Sequence, residues 1–201
     1  MQPLLFGIFK NVTGCSTAPN IERRRNNYIK LIRWHIVYLY DLLRNNPPSP
    51  PEGGYVAHGS TLLDMTTLQP VRLSHDSSEF GNRQQIFCSP DVIWALWFAI
   101  LDKSKIRVTE NGCVRIGHGQ KRIKYYHFDL PAESKGNPPF TEGMIYFANA
   151  KEFPERHPYP LLDWFDAEIE EWGSANPVIP LARLPVNPTD FPYLDRVQFR
   201  L

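Results

Sequence analysis

A short proline-rich segment divides the chain into two parts with different hydrophobic patterns. Residues 46–54, NPPSPPEGG, hold four prolines and two glycines within nine positions. Proline fixes φ and lacks the N–H that a helix or a central strand needs, so we expect a linker here rather than a regular element. The predicted organisation is an extension with its linker over residues 1–50, followed by one compact domain over residues 51–201.

The stretch before this linker has the pattern of an amphipathic helix. Between residues 21 and 45, apolar side chains recur at the three- and four-residue spacings of one broad helical face. Those positions are Ile29, Leu31, Ile32, Ile36, Val37, Leu39, Leu42 and Leu43. A basic group on the same stretch is either the solvated side of the helix, which is the commoner case, or a phosphate-contacting surface. Its members are Arg23, Arg24, Arg25, Lys30 and Arg33.

After the linker, short apolar runs alternate with turns, which predicts a largely β domain. The expected strands cover residues 55–60, 84–89, 122–131 and 143–150. A helix should follow the second strand, with Ser89 as its cap, Pro90 in its first turn and Asp91 complementing its dipole. The expected class is α+β, a single domain with a helical N-terminal extension.

Three further expectations concern the second half of the chain. Residues 163–174, DWFDAEIEEWGS, have the composition of a short helix. Residues 176–191 contain too many prolines for a central strand, so they should run along a sheet edge or over the surface. The polar stretch around His118 and Gly119 should close a hairpin.

Charge and composition narrow the possible partners. The 201 residues carry 22 basic and 21 acidic side chains, a net charge of +1, which gives no global field to hold nucleic acid or an anionic membrane. The longest apolar run, residues 92–101, is too short to span a bilayer, and the N-terminus has no classical signal peptide. The three cysteines form no C-x-x-C pair, as is typical of a reducing compartment. We therefore expect a cytoplasmic protein with no membrane partner.

Several common site types are disfavoured by the sequence. The histidines have no metal-ligand spacing and no cysteine partners, so no metal is expected. The chain also lacks the glycine-rich motifs of the dinucleotide-binding Rossmann fold and of the P-loop ATPases. A dehydrogenase and a P-loop enzyme are therefore both unfavourable interpretations.

Three short groups of residues could carry chemistry. His58 precedes Gly59 at the end of the first expected strand, where a missing Cβ lets a flat ligand reach the backbone. Phe87 ends the second strand and Phe98 lies on the following helix, so the two rings could hold a planar cation between them. Glu142 opens the fourth strand, where a carboxylate could stabilise positive charge on a sugar ring. Taken singly, each group has a commoner explanation: a turn glycine, core aromatics and a solvated strand end.

Taken together, these groups resemble the diphtheria-toxin and poly(ADP-ribose)-polymerase branch of the ADP-ribosyltransferases, which carries a His–Tyr–Glu triad on a split antiparallel β-sheet. His58, in H-G-S, matches the histidine of the triad. Phe87, in QIFCSPD, stands where the family has its tyrosine, and Phe98 matches the second stacking aromatic. Glu142, in E-G-M-I-Y, matches the glutamate of the family's E-x-[IV]-x-Y strand. The polymerases' serine that holds the carboxamide is replaced by Ala95.

The resemblance, which covers residues 55 to about 190, implies an NAD-dependent mono-ADP-ribosyltransferase. Nicotinamide would stack between the two phenylalanines, with its carboxamide on the backbone of Gly59. His58 would bind the adenosine ribose with help from Ser60 or Thr61, and Arg72 could contact a phosphate. Glu142 would stabilise the oxocarbenium-like ribose as the bond to nicotinamide breaks. The acceptor of ADP-ribose is expected to be a protein rather than a nucleic acid.

Three other functions remain open at this point. The same cleft could serve an NAD glycohydrolase, in which water is the acceptor. It could also belong to a non-catalytic module that binds NAD, ADP-ribose or a protein; the missing hydroxyl at Phe87 favours this interpretation, and the presence of Glu142 argues against it. A nucleic-acid-modifying transferase would need the basic group of the N-terminal stretch.

Overall fold

The computed structural model describes residues 54–71, 78–107, 109–116, 123–157 and 167–200, and these residues form one α-helix and ten strands. The helix, α1, spans Val92–Ile100. The strands are β1 (Tyr55–Ser60), β2 (Ile86–Cys88), β3 (Glu110–Ile116), β4 (Ile123–Leu130), β5 (Gly143–Asn149), β6 (Glu155–Arg156), β7 (Ala167–Ile169), β8 (Trp172–Ser174), β9 (Ala182–Val186) and β10 (Gln198–Phe199). The predicted N-terminal helix and linker lie outside the described residues.

The strands form three sheets. The first sheet is antiparallel, with the order β1-β5-β9. The second has the order β10-β4-β3-β7, in which only the β10–β4 pair is parallel, and the third is antiparallel with the order β2-β8-β6. This architecture confirms the expected α+β class, while the specific split-sheet ADP-ribosyltransferase fold stays a prediction.

Helix α1 lies in the centre of the main core because it is apolar on nearly every side. Seven of its nine residues are buried, including the two tryptophans Trp94 and Trp97. A helix without a polar face has to be covered on all sides. Here it packs on Ala57 and Ile145 of the first sheet and on core residues of the second, in one continuous cluster. The opposite face of the first sheet is covered by a second cluster that includes residues of β2.

The start of α1 differs from the prediction by two residues. Ser89 is not the cap, because its backbone is still extended and bridges to Ala57 of β1. Asp91 is the N-cap, and its side chain accepts a hydrogen bond from the Trp94 N–H at 3.1 Å. Pro90 therefore precedes the helix instead of lying in its first turn. The Ser89 hydroxyl supports this turn by accepting from the Asp91 N–H at 2.9 Å.

The predicted helix at residues 163–174 is wrong where the structure describes it. Residues 167–174 form the two short strands β7 and β8, which pair with β3 and with β2. Glu170 lies between them with its carboxylate buried against Arg115, so tertiary contacts override the local helical composition. The expectation for the proline-rich stretch is confirmed, since β9 is an edge strand of the first sheet and contains Pro185.

Strands β3 and β4 pair antiparallel, as expected for a hairpin, although His118 and Gly119 lie outside the described residues. In the part of the chain that the structure describes, no helix has the length and apolar character needed to cross a bilayer. The two cysteines in that part, Cys88 and Cys113, are free and buried, and burial raises the pKa of both thiols well above the ordinary value. They are therefore core residues and not nucleophiles.

Candidate functional site

The site begins where β1 and β2 separate. β1 and the residue that follows β2 are joined at a bridge. In this bridge Ala57 and Ser89 exchange two backbone hydrogen bonds of 2.8 Å. Because backbone groups alternate in direction along a strand, the N–H and C=O of Gly59 point to the same side as those of Ala57. On that side β2 turns away to pair with β8, so the first and third sheets diverge beside Gly59.

His58 is held at this divergence by a direct contact with β2. Its Nδ1 lies 2.6 Å from the backbone oxygen of Phe87, and its ring is tilted against that of Tyr146 with centroids 6.5 Å apart. A carbonyl oxygen can only accept, so Nδ1 carries the proton, and in the neutral ring Nε2 is then the acceptor nitrogen. The structure thus brings two of the predicted site residues together and fixes the tautomer of the histidine.

The structure shows a packing role for Gly59 that was not expected from the sequence. A Cβ on Gly59 would lie 1.8 Å from the backbone oxygen of Ala95, on the side that faces α1. Gly143 meets the same helix in the same way, with its hypothetical Cβ 1.8 Å from the backbone oxygen of Ala99. The absence of these two side chains lets the helix backbone lie directly on β1 and β5. Close packing against α1 is the role that the structure shows for the glycine at position 59, while ligand access stays a prediction.

The same packing brings the remaining predicted residues towards one another. Phe98 precedes Ala99, whose backbone contacts Gly59 and Gly143, and Glu142 comes just before Gly143. The chain leading to Glu142 is tied to the end of the helix, because the Thr141 N–H donates to the Ile100 carbonyl at 2.9 Å. The C-terminal half of α1 therefore connects the His-Gly strand with the glutamate.

The two candidate stacking rings are both half-buried, and each is supported by another aromatic side chain. Phe87 meets Phe80 edge to face with centroids 5.8 Å apart, and Phe98 meets Trp94 at 5.9 Å. The ammonium of Lys103 lies 4.8 Å from the centroid of the Phe98 ring, a cation–π contact. Phe98 thus already holds a positive charge against its ring.

Glu142 is exposed, as in the commoner case of a solvated strand end. It lies one residue before β5, the central strand of the first sheet, and no hydrogen bond or ion pair to it is found among the described residues. Its separation from His58 follows from the strand register, since His58 pairs with Tyr146. Four positions at about 3.3 Å each put the two backbones roughly 13 Å apart along the strands. Such a spacing suits two groups that hold different parts of an extended ligand.

The other predicted contacts are placed less favourably or not described. The Ser60 hydroxyl accepts from the Leu62 N–H at 3.1 Å, which stabilises the turn after β1, and Thr61 is exposed. Arg72 lies outside the described residues. Arg83, the next arginine along the chain, is engaged with the carboxylates of Glu79 and Glu155.

Tyr146 is a residue that the sequence argument used only as part of a motif. It is fully buried, its hydroxyl donates to the Leu62 carbonyl at 2.6 Å, and it accepts from the Met65 N–H at 3.0 Å. These two bonds hold the loop that follows the His-Gly pair. The E-G-M-I-Y motif could therefore have indicated Tyr146 as the residue that positions this loop.

A second polar group, which sequence reasoning missed, surrounds the start of α1. The Asp91 carboxylate accepts from the Lys124 ammonium at 2.6 Å and from the Tyr126 hydroxyl at 2.7 Å. Glu170 is paired with Arg115 at 2.7 Å, and its Oε2 lies 3.3 Å from Lys124 Nζ but off the direction of a hydrogen bond. We call Asp91, Arg115, Lys124, Tyr126 and Glu170 the buried ionic group.

Burial and neighbouring charges together set the pKa values of Lys124 and Tyr126. Burial by itself lowers the pKa of Lys124, but the carboxylates of Asp91 and Glu170 raise it above its ordinary value of 10.5. Burial and the Asp91 charge raise the pKa of the Tyr126 hydroxyl well above its ordinary value of 10.0. Lys124 therefore stays charged and Tyr126 neutral around pH 7, as a structural ion-pair network requires.

The comparisons with known proteins add no further information about this site. No protein-family model, no curated protein and no solved structure matches the chain. The arrangement of residues around the divergence of β1 and β2 is therefore the basis for any functional conclusion.

Proposed function

We propose that the chain is an NAD-dependent mono-ADP-ribosyltransferase whose cleft opens where β1 and β2 diverge. The observation that carries the proposal is the contact of His58 Nδ1 with the backbone oxygen of Phe87 at 2.6 Å. It joins the histidine of the H-G-S motif to the aromatic residue of the QIFCSPD motif, at an opening beside the Gly59 backbone. This agrees with what the resemblance implies for the binding of a dinucleotide.

In this proposal, the two ends of NAD are held by different elements. Nicotinamide stacks between Phe87 and Phe98, and its carboxamide bonds to the N–H and C=O of Gly59. The pyridinium ring of nicotinamide replaces the Lys103 ammonium over the Phe98 ring. The Lys103 side chain is exposed and can adopt another rotamer. His58 accepts from a hydroxyl of the adenosine ribose through Nε2, with Ser60 or Thr61 beside it. Arg72 is kept as a candidate phosphate contact.

The reaction breaks the bond between the nicotinamide nitrogen and C1′ of the ribose. Nicotinamide leaves as a neutral molecule with the electron pair of that bond, and C1′ develops oxocarbenium character. The Glu142 carboxylate, bonded to the ribose 2′-OH, stabilises this charge more in the transition state than in the ground state. An acceptor nucleophile then forms a bond to C1′ and loses its proton. We expect a protein acceptor, since the net charge of +1 does not favour nucleic acid.

One observation favours a second candidate, a non-catalytic module that binds NAD or ADP-ribose. Glu142 is exposed and has no hydrogen-bonding partner among the described residues that would hold it in a reactive orientation. Phe87 also lacks the hydroxyl of the family's tyrosine. An NAD glycohydrolase uses the same residues as the transferase and differs only in having water as the acceptor.

The deciding experiment measures nicotinamide release from NAD, with and without a cell lysate, for the native chain and for Glu142→Ala. We expect the substitution to lower the rate by about 10²–10³-fold, because a preorganised charge is lost from the transition state. The matched control is Glu133→Ala, which removes another exposed carboxylate from a 3-10 turn nine residues before Glu142. NAD affinity, measured by calorimetry, should be unchanged in both variants.

The outcomes separate the candidates. Release that depends on Glu142 and rises with lysate supports the transferase, and release indifferent to lysate supports the glycohydrolase. Binding of NAD without release from any variant supports the non-catalytic module. Phe98→Leu tests the stacking contact, because it retains an apolar side chain but should weaken NAD binding about tenfold. If the native chain binds no NAD at all, the family interpretation is wrong.

A further inference from the structure

Three potential ligand side chains meet on the outer face of the second sheet. Glu110 of β3 pairs across the strands with Asp129 of β4, and His127 lies two positions before Asp129 on the same face. The alternating residues Tyr126 and Phe128 point the other way, into the core around α1. One ligand atom from each of the three residues lies within 4.8 Å of the other two.

The distances between these atoms are too long for hydrogen bonds. His127 Nε2 lies 3.5 Å from Asp129 Oδ2 and 3.8 Å from Glu110 Oε2. Hydrogen bonds of this type are about 2.7–3.2 Å long. By contrast, neighbouring ligands of a tetrahedral ion with bonds of about 2.0–2.1 Å are about 3.3–3.4 Å apart. The three side chains therefore converge at ion-pair distances with no hydrogen bond between them, and the two separations from His127 are near those of a metal coordination shell.

The Asp129 carboxylate provides an independent reason to expect a cation. It is 1% exposed, and Oδ1 has no hydrogen-bond donor among the described residues. Its other oxygen, Oδ2, accepts from Arg200 Nε at 2.6 Å. A buried carboxylate with one unsatisfied oxygen is costly, and Arg200 satisfies only the other oxygen, Oδ2.

Gly112 leaves room for an ion and its water molecules. It is the cross-strand partner of His127, and a Cβ built on it would meet no atom within 4 Å on that side. The Glu110 side chain is 55% exposed, so solvent can reach the three ligand side chains from the side on which Glu110 lies. The linear sequence hid this arrangement, because the strand register and not the spacing of the residues brings Glu110 beside His127.

We propose that Glu110, His127 and Asp129 bind a divalent first-row transition-metal ion, Zn²⁺ or Mn²⁺, with water completing the coordination. One imidazole and two carboxylates, without a thiolate, suit these ions better than Mg²⁺ or Ca²⁺, which prefer oxygen ligands alone. Arg200 acts as an outer partner that orients the Asp129 carboxylate. The ion links β3 to β4 and, through Arg200 at the end of β10, secures the C-terminal strand. This site is separate from the proposed NAD cleft.

The test is calorimetric titration of EDTA-treated, tag-free protein with ZnCl₂ and with MnCl₂, and with MgCl₂ for comparison. We expect one ion per chain for Zn²⁺ or Mn²⁺, with affinity lowered at least tenfold in Glu110→Gln and in His127→Asn. The bound ion should also raise the unfolding temperature of the native chain. Glu110 is exposed enough for its variant to fold, so the test does not depend on the His127 variant alone.

A matched control distinguishes this site from adventitious binding to histidine. His157→Asn removes the imidazole that lies 2.8 Å from Glu171 Oε2, a hydrogen-bonded pair with no third potential ligand among the described residues. We expect this variant to bind the ion like the native chain. The proposal is overturned if none of the ions binds, if binding survives in both Glu110→Gln and His127→Asn, or if His157→Asn loses as much affinity as they do.

Discussion

The polar residues around the two ends of helix α1 are arranged in opposite ways: they are paired at one end and open to solvent at the other. At its start, the buried ionic group pairs each charge with another, so that Lys124 and Asp91 lie 2.6 Å apart out of solvent. Beside its second half, the predicted catalytic carboxylate Glu142 is exposed, and the aromatic ring of Phe98 is only half-buried. Charges that satisfy one another hold a fold together, whereas groups left open beside aromatic surfaces remain available for a ligand. The first end of the helix therefore has a structural role, and the second end is the place of the proposed ligand.

Removal of the lysine from the buried ionic group should give the largest loss of stability. Lys124→Met leaves the carboxylates of Asp91 and Glu170 without their shared cation, and breaking a buried pair in this way costs about 3–5 kcal/mol of unfolding free energy. Denaturant unfolding measures the loss. The control Lys105→Met breaks the exposed pair with Asp102 and should change stability little. Equal effects from the two variants would contradict the structural assignment of the first end.

The next largest effect tests the glycine at the second end. Gly59→Ala puts a methyl group 1.8 Å from the Ala95 oxygen, so the helix has to move off β1, at a cost of about 1–3 kcal/mol or more. Gly112→Ala is the control, since nothing lies within 4 Å of its new methyl group. Unfolding curves of both variants decide the point. If Gly59→Ala kept full stability and lost only NAD binding, ligand access would be the true reason for the glycine.

A smaller effect is expected from the tyrosine of the buried ionic group, and it depends on pH. Tyr126→Phe removes one hydrogen bond to a charged group, which costs about 1.5–3 kcal/mol near pH 7. The pKa values of Tyr126 and Lys124 are raised on folding, so the folded chain holds protons that the unfolded chain loses above about pH 10. Stability is therefore fully present below pH 10 and falls as the pH rises further.

The pH dependence of the free energy of unfolding checks this prediction. In Tyr126→Phe one of the two proton-linked groups is gone, so the decline above pH 10 should be shallower than in the native chain. A decline of equal slope in both proteins would show that Tyr126 ionises as readily in the folded state as in the unfolded state. It would then not be part of a closed ionic group.

Much of the main architecture could be predicted from local pattern. The strand at 55–60 and the strands that became β2, β4 and β5 were found because each is an apolar run bounded by turn residues. The helix was found because a cap signal precedes an apolar run too long for a strand. The short strands β7 and β8 were missed, since three-residue elements owe their form to their partners β3 and β2 and not to their own composition.

The candidate site was only partly accessible in the same way. His58, Phe87 and Glu142 were chosen by motif, and the structure does bring His58 to Phe87. The partners that decide what each group can do were not visible, because they come from distant parts of the chain. Lys103 over the Phe98 ring, and Tyr146 under the loop after β1, depend on how the elements pack.

The sequence by itself determined the α+β class, the apolar character of α1 and the edge position of the proline-rich β9. These properties depend on neighbours in the chain: hydrophobic spacing, capping side chains and the missing N–H of proline. Only the tertiary structure decided that Gly59 serves helix packing, that Asp91 and Lys124 neutralise each other, and that Glu110 meets His127. Those outcomes depend on strand register and on burial, which bring residues far apart in sequence into contact and set the free energy of each polar group.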